Sequence, residues 1–334
     1  MSEEKVQPMG DGTQEESGRD GSRLYVVLGT LAVLAGVVLL PQIISMSLAI
    51  DIVILAIAAT AFNLMLGYTG LLSFGQSAFF AIGGFAAGNV LLHLGASAVP
   101  AILTGALGGA IGSALVGLLT LRLRNVYFIL MTLAFAQLVY FVSLSWREVT
   151  GGSSGLRGFN RPDLDLGVMT IPLDSTIAVY VLVVVIFLLC LGIFYRLVTS
   201  PVGLVLRGIR DNQERVEAIG YSVGHYKLLC FSVAGAMTGV AGALYAIQWQ
   251  IVPISIASMN QSAAIVFMSI LGGVGHPLGP VLGAVIYTWL ADVISIYWAR
   301  WPILFGLFII VIVLFLRGGM TEGIRRLFSL VRGR

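Results

Sequence analysis

The residue types that most often perform chemistry are few in this sequence and widely spaced. The two cysteines, Cys190 and Cys230, lie inside apolar runs, and the three histidines do not fall at any metal-ligand spacing. Lys5 and Lys227 are the only lysines, and neither follows the glycine-rich turn that a phosphate-binding loop requires. No serine, histidine and aspartate set and no pair of carboxylates has a usable spacing. The sequence therefore predicts neither an enzyme nor a metal site, and no cofactor bound by this chain.

Asp51 and Asp292 are the two ionisable side chains that lie inside apolar segments. An ionisable residue within a membrane segment is by default a candidate functional site, for example for a coupling ion. Both aspartates lie towards the predicted outer ends of their segments, so placement at the membrane interface is an equal alternative. So few internal charges favour a cargo that is neutral, zwitterionic or partly apolar. Energy for active transport would then come from outside this chain.

Residues 200–220, SPVGLVLRGIRDNQERVEAIG, form a charged segment between two long apolar runs. Ser200 suits the N-cap of a helix, Pro201 its first position and Gly220 the position just after its end. The segment predicts one amphipathic helix with three charge pairs at a spacing of four residues. The pairs are Arg207–Asp211, Arg210–Glu214 and Asp211–Arg215, and the apolar face consists largely of Val202, Val205, Leu206, Ile209, Val216 and Ile219. This helix can receive mechanical work from a partner; the alternative is a solvated loop without one.

The elements that must position these residues are membrane helices. Of the 334 residues 58% are hydrophobic and 10% charged, with a mean hydropathy of +0.97, whereas soluble domains carry about 25% charged residues. Apolar runs close to the ~20 residues that cross a bilayer recur along the chain. They predict an all-α integral membrane protein of about ten transmembrane helices, at 24–40, 43–66, 76–94, 98–120, 126–145, 175–196, 228–248, 260–273, 278–296 and 302–316.

The distribution of Lys and Arg predicts the orientation. With the N-terminus inside, all 19 basic residues except Arg147, Arg157, Arg161 and Arg300 fall on one side, so both termini are predicted to be cytoplasmic. The predicted organisation is a disordered cytoplasmic tail at 1–22, a transmembrane domain at 23–318 and a basic cytoplasmic tail at 319–334. Within the membrane domain, 146–174 is the external loop and 197–227 is the cytoplasmic segment that carries the charged helix.

Glycine is frequent in the membrane segments. Spacings of four residues, which allow close helix packing in lipid, occur at Gly105/Gly109, Gly108/Gly112, Gly235/Gly239 and Gly279/Gly283. Residues 67–76 and 272–280 combine glycine with polar residues or proline and are predicted to interrupt helices. Each interruption is either backbone that lines a cavity at membrane depth or a tight cytoplasmic turn. Both interruptions lie on the same side of the membrane in the predicted topology. A simple inverted repeat would place them on opposite sides, so none is predicted.

These segments resemble the permease subunits of branched-chain amino acid ABC importers, particularly the M-type subunit. Residues 63–80 are similar to the family's NLLLGYTGLLSFGQAAFF signature, and residues 121–135 resemble its next block. Residues 150–156 are similar to its external loop, residues 200–220 to its cytoplasmic SPFGRALRAIRENE…ALG segment, and residues 272–280 to its last motif. The resemblance covers about residues 45–320.

The resemblance implies a subunit of an ATP-driven importer in a bacterial inner membrane. Such permeases pair with a second, H-type permease, two ATPases that bind ATP and magnesium dock on cytoplasmic coupling helices, and a periplasmic binding protein delivers the substrate. It implies no nucleic acid partner. Carried over to this sequence, the residues that couple to the ATPases are Gly203, Arg207, Arg210, Asp211, Glu214 and Gly220. Val202, Leu204, Gly208 and Glu217 depart from the family's usual residues, which suggests a differently matched ATPase surface.

Polar side chains inside apolar segments are the candidates for the substrate pathway. Ser73, Gln76 and Ser77 are the first choices, and Thr132 and Gln137 the second. Each could hydrogen-bond a passing ligand, or instead another helix. The prediction is a permease for branched-chain amino acids that works by alternating access. The alternatives are a permease of the same family for urea, short amides or aromatic acids, or an autonomous carrier or channel with an ion site at Asp51 or Asp292.

Overall fold

The computed structural model describes residues 36, 39–95, 97–123, 125–165, 170–297, 300–315 and 320. The chain divides into two units, Met1–Ile43 and Ile44–Arg334. In the first unit, residues 39–43 are helical. The predicted tail at 1–22 and most of the predicted membrane segment at 24–40 lie outside the described residues, as does the tail at 319–334 apart from residue 320. All that follows concerns the second unit.

The second unit is built of helices. They are α1 (Met46–Thr69), α2 (Gln76–Leu94), α3 (Ala98–Thr120), α4 (Val126–Ser145), α5 (Arg147–Thr150), α6 (Thr176–Thr199), α7 (Pro201–Asp211), α8 (Gln213–Ala218), α9 (Val223–Trp249), α10 (Met259–Gly272), α11 (Gly279–Tyr297) and α12 (Trp301–Phe315). Short 3-10 turns cover Gly152–Ser154 and Ile254–Ala257. The connection between α5 and α6 also contains one antiparallel pairing, of β1 (Leu164–Asp165) with β2 (Thr170–Ile171).

The all-α membrane fold predicted from hydropathy is confirmed. Within the described residues, seven helices are long and apolar enough to cross a membrane: α1, α2, α3, α4, α6, α9 and α11. The predicted bounds of α2, α3 and α4 coincide with the observed ones. The predicted segment at 260–273 corresponds to α10, whose 14 residues extend for about 21 Å. Because a bilayer core is about 30 Å thick, α10 cannot cross it alone.

Helix α9 is the centre of the packing and contacts α1, α2 and α3. Glycine brings the backbones together, as the four-residue spacings predicted. A Cβ on Gly109 would lie 2.2 Å from the carbonyl oxygen of Gly235, and one on Gly83 would lie 2.3 Å from that of Gly239. The pair Gly279/Gly283 similarly brings α11 against α10. These helices therefore touch backbone to backbone, with no room for side chains between them.

The chain between α1 and α2 is non-helical over residues 70–75, within the predicted interruption at 67–76. Helix α1 continues past Gly67 and ends where Gly70 adopts a left-handed conformation (φ 72°) and donates its N–H to Leu66 O. Although only six residues separate them, α1 packs on α6, α9 and α11, whereas α2 packs on α3 and α9. Residues 70–75 therefore carry the chain from one helix group to another, in place of a simple hairpin turn.

A second segment outside the α-helices, residues 250–258, precedes α10. It packs against α2 and α4, and its side chains at Val252, Ile256 and Ala257 are buried. Val252 also exchanges two backbone hydrogen bonds with Leu156, in the connection between α5 and α6. The sequence analysis did not single out this segment. The interruption that it did predict, at 272–280, is a loop at residues 273–278 that joins α10 to α11.

Candidate coupling site and polar core

Helix α7 leaves α6 through a tight corner. The Ser200 hydroxyl accepts the Gly203 N–H at 3.4 Å, and Pro201 occupies the first helical position, as predicted. Gly203 fits this corner because a Cβ there would lie 2.2 Å from the carbonyl oxygen of Val198. A side chain at position 203 would therefore push the start of α7 away from the end of α6.

The predicted single helix at 200–220 is two helices, which corrects the sequence prediction. Helix α7 ends at Asp211, and Asn212 adopts an extended conformation (φ −160°). The Asn212 side chain then caps α8 by accepting the Arg215 N–H at 2.9 Å. Asparagine can compete with a helix in this way because its side chain replaces a backbone acceptor. Gly220, with φ +92°, follows the end of α8, close to its predicted role.

The apolar face of the two helices agrees with the prediction except at its last residue. Leu206, Ile209 and Val216 are buried, but the kink at Asn212 turns Ile219 outwards, where it is 68% exposed. Leu204 of α7 is 74% exposed. The segment therefore buries one apolar face against the bundle and leaves two large apolar side chains uncovered.

Arg207 and Arg210 point towards the end of α1. Arg210 Nη1 donates to the carbonyl oxygen of Gly67. The Arg207 guanidinium lies 5.2 Å from the centroid of the Tyr68 ring, which is cation–π geometry. Asp211 and Glu214 are exposed. The sequence analysis predicted charge pairs only between residues of the same helix. In the structure, both arginines also contact α1.

Helix α8 is tied to the start of α9. The Lys227 ammonium donates to Gln213 Oε1 at 2.7 Å, and Gln213 Nε2 donates to Glu217 Oε1 at 2.8 Å. Lys227 is only 8% exposed. Because a buried ammonium needs polar partners, this contact holds α8 against the bundle at a defined position.

Four of the five predicted pathway residues form a buried polar core around residues 70–75. Ser73, Gln76, Ser77 and Thr132 are all fully buried. Gln76 accepts a hydrogen bond from Thr238 Oγ1 at 2.7 Å and donates to the sulfur of Met65 at 3.1 Å.

Helices α10 and α4 complete this core. The Ser262 hydroxyl of α10 donates to Phe74 O at 2.6 Å, contacts Ser77 Oγ at 2.8 Å and accepts the Ser77 N–H at 2.9 Å. Thr132 of α4 accepts the Phe74 N–H at 3.2 Å. The polar side chains therefore hold the non-helical segment between the helices.

Gln137, the fifth predicted pathway residue, is placed differently. It is half-buried on α4 and lines an open cavity of about 230 Å³ together with Tyr140, Ser258, Met259 and Asn260. The cavity lies where α4 meets the start of α10. Among these five residues only Met259 is apolar, so the side chains that line this cavity are mostly polar.

The two aspartates within membrane segments have different surroundings. Asp51, half-buried on α1, accepts a hydrogen bond from Trp249 Nε1 at 2.9 Å, at the end of α9 remote from α7. Asp292 is exposed on α11. Across the described part of the chain, no three His, Cys, Asp or Glu side chains are close enough to hold a metal ion.

A comparison with known families decides what kind of protein has this geometry. The family described as branched-chain amino acid transport system, permease component, matches residues 44–316. The chain belongs to this family. It is 27% identical over 289 residues to the high-affinity branched-chain amino acid transport system permease protein LivM of Salmonella typhimurium, covering 80% of this chain and 68% of that protein.

Two further relatives carry the same name. The chain is 26% identical over 289 residues to LivM of Escherichia coli, with the same coverage of 80% and 68%. It is 25% identical over 218 residues to the probable LivM of Methanocaldococcus jannaschii, covering 65% of this chain and 61% of that protein. No solved structure matches the chain significantly. The chain is thus a multi-pass membrane permease of this family.

Proposed function

We propose that this chain is the membrane-spanning permease subunit of an ATP-driven importer of branched-chain amino acids. The observation that carries the proposal is the family match over residues 44–316. This range includes every helix from α1, which begins at Met46, to α12, which ends at Phe315. The proposed partners are a second, H-type permease, two ATPases that bind ATP and magnesium, and a periplasmic binding protein. The proposed location is a bacterial inner membrane, with both termini cytoplasmic.

Helices α7 and α8 are the proposed contact with the ATPases. They are exposed on one face, capped at Ser200 and Asn212, and held to the bundle by Arg210 and Lys227. A movement of the ATPases would therefore reach the membrane helices through a short, anchored element. Gly203 and Gly220 have backbone roles at its two ends, and Asp211 and Glu214 supply charge on the exposed face.

The substrate pathway is proposed to run along the polar surface at Gln137, at the interface with the second permease. Lipid would leave the polar groups of that surface unsatisfied, whereas a partner subunit or a water-filled path would not. In this proposal Ser73, Gln76, Ser77 and Thr132 support the pathway wall by holding residues 70–75 in place. Their complete burial supports this assignment, as does the hydrogen bond that Thr132 accepts from the Phe74 N–H.

Co-purification tests the proposal most directly. The tagged chain is extracted from its native membrane in mild detergent, and the proteins retained with it are identified by mass spectrometry. We expect a second permease and ATPases with phosphate-binding loops. Recovery of this chain alone, together with leucine uptake into membrane vesicles that does not require ATP, would contradict the proposal and favour an autonomous carrier.

The variant Arg210→Glu tests the assigned coupling helix. It replaces a donor to the Gly67 carbonyl with a carboxylate, so the contact becomes repulsive. We expect the complex to assemble and hydrolyse ATP while leucine uptake falls. Unchanged uptake in this variant would contradict the role of α7.

A further inference from the structure

Three separate parts of the chain meet at the end of α1. Arg210 of α7 donates to Gly67 O. One turn earlier on α1, Asn63 Oδ1 accepts the Gly275 N–H at 2.8 Å, and Asn63 Nδ2 donates to His276 O at 3.0 Å. Tyr68 OH donates to Gly275 O at 3.2 Å. The cytoplasmic helices and the loop at residues 273–278 are therefore both fastened to α1 within two turns.

Glycine makes this junction close. A Cβ on Gly67 would lie 2.8 Å from the Gly275 nitrogen and 2.6 Å from Asn63 Oδ1. A Cβ on Gly275, where φ is +85°, would lie 3.2 Å from Arg210 Nη1. The loop backbone thus rests directly on α1, and the Arg210 guanidinium lies beside it.

The Asn63 side chain fixes the loop in both distance and direction. One amide group makes a donor bond and an acceptor bond to consecutive residues, so the loop can neither slide nor rotate without breaking one of them. Asn63 is completely buried and Tyr68 nearly so. Movement of the loop alone would break both bonds, which makes concerted movement of the loop and α1 the lower-energy course.

The loop at 273–278 continues into two helices that reach the polar core. It ends α10, whose Ser262 holds residues 70–75, and begins α11, which packs on α1. Residues 70–75 begin at Gly70, where a Cβ would lie 3.6 Å from Arg210 Cγ. The junction is thus connected to both ends of the segment that joins α1 to α2.

We propose that Asn63 and Tyr68 are positioning residues that transmit movement of α7 to the loop at 273–278, and through α10 to the polar core. The proposal rests on the proposed function, since it assigns the route by which ATPase movement reaches the membrane helices. Arg210 supplies the input to this route, and Asn63 and Tyr68 connect it to the loop.

Two variants weaken the hydrogen bonds between α1 and the loop at 273–278 to different extents. Asn63→Asp keeps the size of the side chain but places an acceptor against His276 O. Tyr68→Phe removes one hydroxyl and keeps the ring, which also packs edge-on against Phe194. The matched control is Asn89→Asp, because Asn89 Nδ2 likewise donates to two carbonyls, of Phe85 at 2.8 Å and of Val149 at 2.7 Å, far from α7.

The first readout is leucine uptake per ATP hydrolysed by the complete transporter in proteoliposomes. We expect the ratio to fall about tenfold in Asn63→Asp, within the range typical of coupling between two sites, and less in Tyr68→Phe. The ratio should not change in Asn89→Asp. If uptake and hydrolysis fell together in Asn63→Asp, so that the ratio stayed constant, its role would be structural and the proposal would be wrong.

The second readout does not depend on ATPases. Spin labels are attached at Ala218→Cys on α8, which is exposed, and Val274→Cys in the loop, and their distance distribution is measured in the purified chain. We expect a narrow distribution in the parent and in Asn89→Asp, and a broad one in Asn63→Asp and Tyr68→Phe. An equally narrow distance distribution in all four proteins would contradict the proposal that Asn63 and Tyr68 hold the loop in place.

The two readouts separate this proposal from the proposed function. A parent transporter without ATP-dependent uptake would contradict the proposed function, while the label distances would still decide the mechanical connection. The native cysteines, Cys190 and Cys230, are both buried, so introduced cysteines can be labelled selectively.

Discussion

The variant Gly239→Ala tests the backbone contact at the centre of the bundle. Gly239 lies on α9, where α3 and α2 both approach it. A Cβ at this position would lie 2.3 Å from the carbonyl oxygen of Gly105 and 2.9 Å from the Cα of Gly109. Both are backbone atoms of a helix, so neither can move aside as a flexible side chain would. The added methyl group must separate α9 from α3.

The cost follows from that separation. Carbon atoms pack at about 3.5–4.0 Å, so α9 and α3 must move apart by roughly 1 Å to relieve the clash. A gap of that size loses about a quarter to a half of the energy of each dispersion contact across the interface. Adding a methyl group to a packed interior typically costs about 1–3 kcal/mol, and the upper half applies here because the obstacles are backbone. Alanine is more favourable than glycine inside a helix by about 1 kcal/mol, which offsets part of this cost. The expected net loss in the free energy of unfolding is about 1–2 kcal/mol.

Gly192→Ala provides the matched control. Gly192 lies inside α6, and no described heavy atom lies within 4 Å of a Cβ built there. This variant gains the same helix propensity without the clash. Equilibrium unfolding of each purified chain in mixed micelles of dodecyl maltoside and sodium dodecyl sulfate, followed by circular dichroism, gives the two free energies. We expect them to differ by about 2–3 kcal/mol; equal values would refute the reasoning from close backbone contact.

Three further variants follow from the same contacts. Ser262→Ala leaves the polar groups around residues 70–75 without their shared hydroxyl, so we expect a loss of about 1–3 kcal/mol in the micelle unfolding assay and lower uptake; unchanged stability would contradict the polar core. Gly203→Ala should displace α7, because its Cβ would meet Val198 O at 2.2 Å, and should weaken retention of the ATPases in pull-downs, whereas Gly224→Ala, which is open, should not. Asn212→Ala removes the cap of α8 and should cost about 0.5–2 kcal/mol, seen as faster hydrogen exchange of the α8 amides with exchange in α9 unchanged.

The sequence predicted the membrane helices well where polar or glycine-rich connections bound them. Helices α2, α3 and α4 begin and end where hydropathy placed them, because a short connection leaves little freedom for their ends. Helix α9 was predicted five residues too short at its start. His225 and Lys227 have the polarity of a loop, but Lys227 is accommodated in the helix by its bond to Gln213. A hydropathy value depends only on the residue type and neglects hydrogen-bond partners such as Gln213.

The sequence singled out residues for a candidate site but could not predict which side chains and backbone groups they contact. The sequence indicated that Arg207 and Arg210 matter, but assigned them partners on their own helix. A periodicity argument cannot anticipate that Tyr68 and the Gly67 carbonyl lie opposite the two arginines, since this part of α1 is separated from them by about 140 residues. Asn63 entered the sequence analysis only within a family motif, and its bond to Gly275 spans 212 positions.

The buried contacts also restrict how this subunit can change conformation. The polar core satisfies its own hydrogen bonds, and α9 meets α2 and α3 through backbone atoms, so sliding one helix past another would break bonds or create clashes throughout the centre. Packed interiors of this kind move as units. Exposed polar groups are instead found at the surface around Gln137, where two subunits could separate and close without disturbing either core. We therefore expect alternating access to consist of rigid-body rotation of this subunit, driven through the junction at Asn63 and Arg210, rather than of rearrangement within the bundle.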